Sequence, residues 1–319
     1  MNRRRFVQSI LAVAGGSLGT ARAADSFPTQ TVRIIVASTP GTVMDISARL
    51  VAKYLEPIWR QPVVVINQAG AGGAIGTDAV AKAKPDGHTL LIGHEGILAI
   101  QPLILKATAP RSDVRAVAPL VEIDLLLVVG RGSGIRTVGD LIAESRRRRL
   151  TYASAGNGTP VHLRMELLKQ RLAINLVHVP YKSTSAGLTD LVGGHVDCML
   201  IGIGPAMPHV AEKLNVLAIA GARRNPLLPD VPALAETQPG LNFSTWFGVF
   251  APAETPADVI GAASRDITQA IHSPAVKAPL LEQGITPTGG TPAELAAIVQ
   301  KDFTEYSKLI REAKIDLST

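Results

Sequence analysis

Residues 32–58 read VRIIVASTPGTVMDISARLVAKYLEPI, and three kinds of local chemistry follow one another along them. Val32–Val36 is dominated by β-branched residues, the composition of a buried strand. Ala37 to Gly41 then gathers Ser38, Thr39 and Pro40, which are turn residues. Beyond them Ile46, Leu50, Tyr54 and Ile58 recur every four residues, with Val51 and Leu55 widening the stripe, so a helix with one buried face is expected. Thr42 and Asp45 have the spacing of a capping box, which puts the helix N-cap at Thr42.

The same succession repeats along the chain. Strand-like runs follow at Val63–Ile66, Thr89–Ile92, Leu125–Val129, Leu150–Ala153, Leu176–Val179, Cys198–Ile201, Val216–Ala220 and Gly248–Phe250, with helical patterns between them and at 256–272 and 292–314. Apolar strands alternating with helices mean an α/β fold, in which mainly parallel sheets are covered by helices on both faces. The alternation divides into two lobes. Residues 24–123 with 246–319 form the first domain and 124–245 the second, so the chain crosses between them twice. A single nine-stranded sheet has the same periodicity.

The first 23 residues read as an export signal. Arg3, Arg4 and Arg5 supply a twin-arginine pair, and the apolar stretch from Ile10 to Leu18 is far shorter than the ~20 residues that span a bilayer. Ala21-Arg22-Ala23 is a small-x-small cleavage pattern, so a periplasmic protein cut near Ala23 is expected. The whole chain carries 32 basic and 26 acidic residues. Removal of the signal takes away four arginines and no acid, leaving 28 basic against 26 acidic residues, a balance of +2. A near-neutral body has no electrostatic footprint for nucleic acid. Cys198 is the one cysteine, so no intrachain disulfide forms and the fold rests on its core.

Candidate chemistry gathers at four strand-to-helix turns. They are Ser38–Asp45, with Gly41 and Thr42; Asn67–Gly76, with Gly70, Gly72 and Gly73; Ser154–Thr159, with Asn157 and Gly158; and Pro180–Ser185, with Tyr181 and Ser183. Such turns lie at the carboxyl ends of parallel strands, where open α/β folds bind ligands. Each presents free N–H groups at the positive end of a helix, a receptacle for an anion. His162, in the first turn after the N-cap Thr159, faces the expected cleft. No G-x-S-x-G, paired histidine or cysteine at ligand spacing is present, so neither a catalytic residue, a metal nor a cofactor is expected. One alternative comes from Gly70-Ala71-Gly72-Gly73-Ala74-Ile75-Gly76 after a strand, with Glu95 about 20 residues on. This outlines a dinucleotide site and an exported oxidoreductase, although Ile75 occupies the sixth position of the strict pattern.

Taken together, Val32–Val36 with Pro40-Gly41 and Asp45, Asn67 with Gly70-Ala71-Gly72-Gly73 and Ile75-Gly76, and Lys84-Pro85-Asp86-Gly87 make the chain resemble a known family. Gly156-Asn157-Gly158-Thr159 with His162, His178-Val179-Pro180-Tyr181-Lys182, Leu228-Pro229-Asp230-Val231-Pro232 and Trp246-Phe247-Gly248 extend the likeness in order over the mature chain. It resembles the periplasmic substrate-binding proteins of tripartite tricarboxylate transporters, the Bug family. The resemblance implies a type II-like binding-protein fold with two crossovers, closing by hinge motion on a small organic carboxylate, without catalysis. It also implies that the first two loops grip through backbone N–H groups while the Gly156–Thr159 and Tyr181–Ser185 loops close from the other lobe. The expected partners are a membrane permease or a sensor ectodomain, the receptor itself being a monomer. Two departures stand out. Ser38 and Thr42 replace the family's aromatic and one glycine of its pair. Gly93-His94-Glu95-Gly96 replaces small hydroxyl residues, and a Glu95 facing the cleft disfavours a second carboxylate.

Overall fold

The structure is a computed structural model that describes residues 27–210, 212–239, 241–313 and 315. The export segment and its cleavage site lie outside the described residues. Among those described, the strands are β1 Val32–Val36, β2 Val63–Asn67, β3 Thr89–His94, β4 Val114–Ile123, β5 Leu125–Gly130, β6 Leu150–Ser154, β7 Leu176–Pro180, β8 Cys198–Gly202, β9 Leu214–Ile219, β10 Thr245–Pro252 and β11 Ile285–Pro287. They form two sheets, ordered β11-β4-β10-β3-β1-β2 and β7-β6-β8-β5-β9. This excludes a single nine-stranded sheet.

Both sheets are mixed, and the crossings explain why. β4 runs toward the other lobe, and Asp124 alone separates it from β5. A strand entered at the interlobe end must run away from it, so β5 is antiparallel to its neighbours β8 and β9. The return crossing has the same outcome: β10 is antiparallel to β3 and β4. The strands that carry the glycine turns remain parallel, β1 with β2 and β3, and β6 with β7 and β8. Their carboxyl ends therefore share one pole of each sheet.

Burial follows the strand period of two. Leu125, Leu127 and Val129 of β5 enter one core of the second lobe, and Leu126 and Val128 enter the core on the opposite face. Helix Val43–Trp59 buries Met44, Ala48, Val51, Ala52, Leu55 and Trp59, while Ile58 stays 45% exposed. The buried face is thus turned from the four-residue stripe, because two alanines let the helix approach its sheet closely. β4 and β11 were not anticipated. β4 contains Pro119, which lacks an N–H and sits opposite Gly248 at a shift in register.

Two elements tie the lobes together. Helix Pro292–Glu312 places Leu295 and Val299 in the first lobe's core, but Tyr306 and Leu309 in the second's. The turn after β3 does likewise, with Ile97 and Leu98 on one side and Ile100 on the other.

Candidate functional site

The first-lobe turns are built as one unit. Asp45, 4% exposed, accepts from the Gly41 N–H at 2.9 Å, from Asn67 Nδ2 at 3.0 Å and from Arg49 Nε at 3.1 Å. Burial pushes the Asp45 carboxyl upward, but the bonds from Arg49, Gly41 and Asn67 outweigh it and hold it below its ordinary range. Asn67 also donates to the Ser38 carbonyl at 3.2 Å. Asp45, read from sequence as a ligand contact, thus spends its carboxylate on holding the turns after β1 and β2 against each other. Nor does it close a capping box. Thr42 has the extended backbone of an N-cap but makes no capping bond; its hydroxyl lies 2.7 Å from Ser38 Oγ and donates to the Thr39 carbonyl.

The turn after β2 is a 3₁₀ turn, Ala71–Gly73, closed by Gly73 N–H to the Gly70 carbonyl at 2.9 Å. Gly70 and Gly72 are exposed and Gly73 is buried. Gly73 has φ +100°, and a Cβ there would stand 2.3 Å from Ile97 Cδ1 and 3.2 Å from the Ala37 carbonyl oxygen. Only glycine allows this turn to lie on both its neighbours. Gly73→Ala is expected to destabilise by about 1–3 kcal/mol through overpacking and backbone strain. Denaturant titration of the purified variant checks this.

The second lobe caps its own helices. Thr159 accepts from the His162 N–H and begins helix Pro160–Leu172, with Pro160 at the first position. Ser183 accepts from the Ala186 N–H at 3.2 Å and begins helix Thr184–Gly193. Behind these loops Tyr152, His178 and His162 form a stack, with the two imidazole centroids 4.0 Å apart. His162 is 5% exposed and accepts from the Gly158 N–H at 3.0 Å through Nδ1, so it braces the loop from behind instead of facing the cleft. Burial lowers His162, and burial with the neighbouring His162 ring takes His178 down to about 4. Tyr181 donates its hydroxyl to Asp190 Oδ2 at 2.7 Å; burial and that carboxylate push it up to about 12.

The fourteen sequence-derived positions therefore separate by exposure. Ser38, Gly41, Thr42, Gly70, Gly72, Asn157, Thr159, Tyr181 and Ser183 retain solvent exposure at the turns. Asp45, Gly73, Glu95, Gly158 and His162 are buried beneath them. Glu95 is 0% exposed and forms an ion pair with Arg164 at 3.0 Å, which removes its charge from the cleft. The same pairing deprives the dinucleotide alternative of its ribose-binding acid, and that reading has no support. Sequence reasoning passed over Arg164. Its signal was an arginine inside the apolar run Leu163-Arg164-Met165 and Leu167-Leu168, where a charge needs a partner.

The lobes meet just past β3. A Cβ on Gly96, just past β3, would stand 3.6 Å from Pro160 Cγ at the start of the helix after β6. The first lobe contributes two helix starts, at Val43 and Ala74, without side-chain caps, and the second contributes hydroxyl-capped ones. Uncapped first turns leave N–H groups for an outside acceptor, and the helix field favours that acceptor being anionic.

Residues 47–315 match the model of the tripartite tricarboxylate transporter family receptor. Protein BugT of Bordetella pertussis is 32% identical, over 98% of this chain and 98% of its own. A solved structure described as R. palustris Rpa4515 with adipate is 30% identical, with a TM-score of 0.74, and covers 91% of this chain and 99% of that one. Another, described as MatC (Rpa3494) from Rhodopseudomonas palustris with bound malate, is 30% identical with a TM-score of 0.71, covering 89% and 100%.

Proposed function

The chain belongs to the tripartite tricarboxylate transporter receptor family, and from that membership we propose that it captures a small dicarboxylate between its two lobes. The observation that carries the reading is the pair of first-lobe helix starts with no side-chain cap, set beside exposed Gly41, Gly70 and Gly72. The Gly70 and Gly72 amides and the uncapped helix starts receive one carboxylate, and the Ser38 hydroxyl adds a donor beside them; the Gly41 N–H and the Thr42 hydroxyl are already given to Asp45 and the Thr39 carbonyl. Asn157, Thr159, Tyr181 and Ser183 close over the solute from the second lobe. With Glu95 paired to Arg164, its charge does not oppose a second carboxylate. The solutes named for the two 30% identical structures, adipate and malate, carry two each.

The moving parts are residues 24–123 with 246–319, and residues 124–245, turning about the crossings at Asp124 and Ser244. Residues 1–23 direct export, by the twin-arginine route, and are cut near Ala23. The mature receptor works in the periplasm as a monomer and hands its cargo to a permease subunit or a sensor ectodomain, with no bond made or broken.

A thermal-shift series with malate, adipate, their neutral diamides and a nicotinamide dinucleotide tests this. A solute that binds only the folded state adds RT ln(1 + [L]/Kd), about 2.7 kcal/mol at a hundredfold excess over Kd. A shift from the diacids, lost with the diamides, is expected. A shift from the dinucleotide alone refutes the proposal.

A further inference from the structure

Four hydrogen bonds converge on one buried point between the lobes. From helix Pro160–Leu172 of the second lobe, one terminal nitrogen of Arg164 donates to Glu95 Oε1 at 3.0 Å and to Thr245 Oγ1 at 2.9 Å. The other donates to the Ser244 carbonyl at 2.8 Å. The second oxygen of Glu95 accepts from the Trp246 N–H at 3.3 Å. The side chains of Arg164 and Glu95 are 4% and 1% exposed. Glu95 follows β3 in the first lobe and Ser244–Trp246 is the return crossing, so a single guanidinium fastens both lobes and a connecting strand.

Stability alone does not explain the arrangement, because apolar residues of similar volume commonly replace a buried ion pair at no cost. Direction does. A guanidinium fork fixes the angle as well as the distance of its acceptors, which apolar contact cannot do. Pro160, whose ring lies against Gly96, begins the same helix, four residues before Arg164. In each sheet β2 and β7 lie farthest from the strands that cross, β10 and β5.

We propose that Glu95 and Arg164 are positioning residues of the cleft, the fixed point about which the lobes turn. The pair holds the start of helix Pro160–Leu172, and the Gly156–Thr159 loop it carries, at constant distance from the end of β3. The opposite end of the cleft, between the turns after β2 and β7, opens. The proposal rests on the hinge-closing reading above, whose solute specificity is tested separately by the thermal shifts.

Spin-label distance measurements on the unliganded protein test it. Cys198 is buried, so cysteines introduced at exposed positions take the label. Labels at Ala69→Cys and Lys182→Cys span the far end, and labels at Lys106→Cys and Arg171→Cys span the pivot side. A broad far-end distribution and a narrow pivot-side one are expected. In Glu95→Leu/Arg164→Met, melting within a few degrees of the parent protein, the pivot-side distribution broadens; Thr245→Val, which removes one bond, broadens it less. The exchanged pair Glu95→Arg/Arg164→Glu does not restore it, because the new carboxylate faces the Ser244 carbonyl. A far-end distribution as narrow as the pivot-side one, with or without malate, overturns the proposal. So does an unchanged pivot-side distribution in the folded double variant.

Discussion

Arg164→Met, alone, is expected to lower the stability of the folded protein by about 3–5 kcal/mol, read from urea unfolding. Three acceptors lose their donor at once: Glu95 Oε1, Thr245 Oγ1 and the Ser244 carbonyl. Glu95, with 0% exposure, then keeps the Trp246 N–H as its one hydrogen-bond donor among the described residues. The cost is that of a stranded charge, so adding Glu95→Leu recovers most of it even though it deletes a further polar group. A single variant as stable as the parent would falsify the claim that this pair is sealed from water.

Acid is expected to act through the imidazoles before it acts through the carboxylates. Burial, with the Arg164 charge adding to it, takes His94 down to about 4, and burial with the adjacent His162 takes His178 to about 4. An unfolded histidine protonates near 6.5. Below that value the unfolded chain binds protons that the folded chain refuses, so stability falls as pH falls. The loss begins near pH 6.5 and levels off near pH 4, where the folded imidazoles also titrate. Each such displacement corresponds to about 3 kcal/mol, and a discount for the partial exposure of His178 leaves about 3–5 kcal/mol for the two together. Asp45, held below its ordinary range, adds its own loss only at more acid pH. Urea midpoints from pH 7 to 4 measure the slope. His94→Asn is expected to flatten it, and an unaltered slope in that variant removes His94 from the account.

The fold was legible where local chemistry and tertiary structure agree. Val32–Val36 is a strand to the residue, and Thr159-Pro160 caps the helix it precedes, because β-branching, a hydroxyl and a proline act within a few residues. β4 was illegible because its Pro119 and alanines read as a break, and Gly248, 129 positions away, accommodates the proline at a shifted register. The four strand-to-helix turns were legible as turns, since glycines mark backbone conformations that other residues resist. What each polar side chain does there was not. Asp45 carries the same letter whether it meets a solute or ties Gly41 to Asn67, and Glu95 meets a partner 69 positions distant. Such assignments depend on pairings that spacing does not encode.

The unequal capping of the four helix starts gives the two halves different parts in an encounter. On the proposed reading, a diacid diffusing in meets first-lobe helix starts that no side chain caps, whereas Thr159 and Ser183 each already hold one N–H of the second-lobe helices. On that reading arrival is governed by the first lobe, and residence time by how firmly the second folds over the solute.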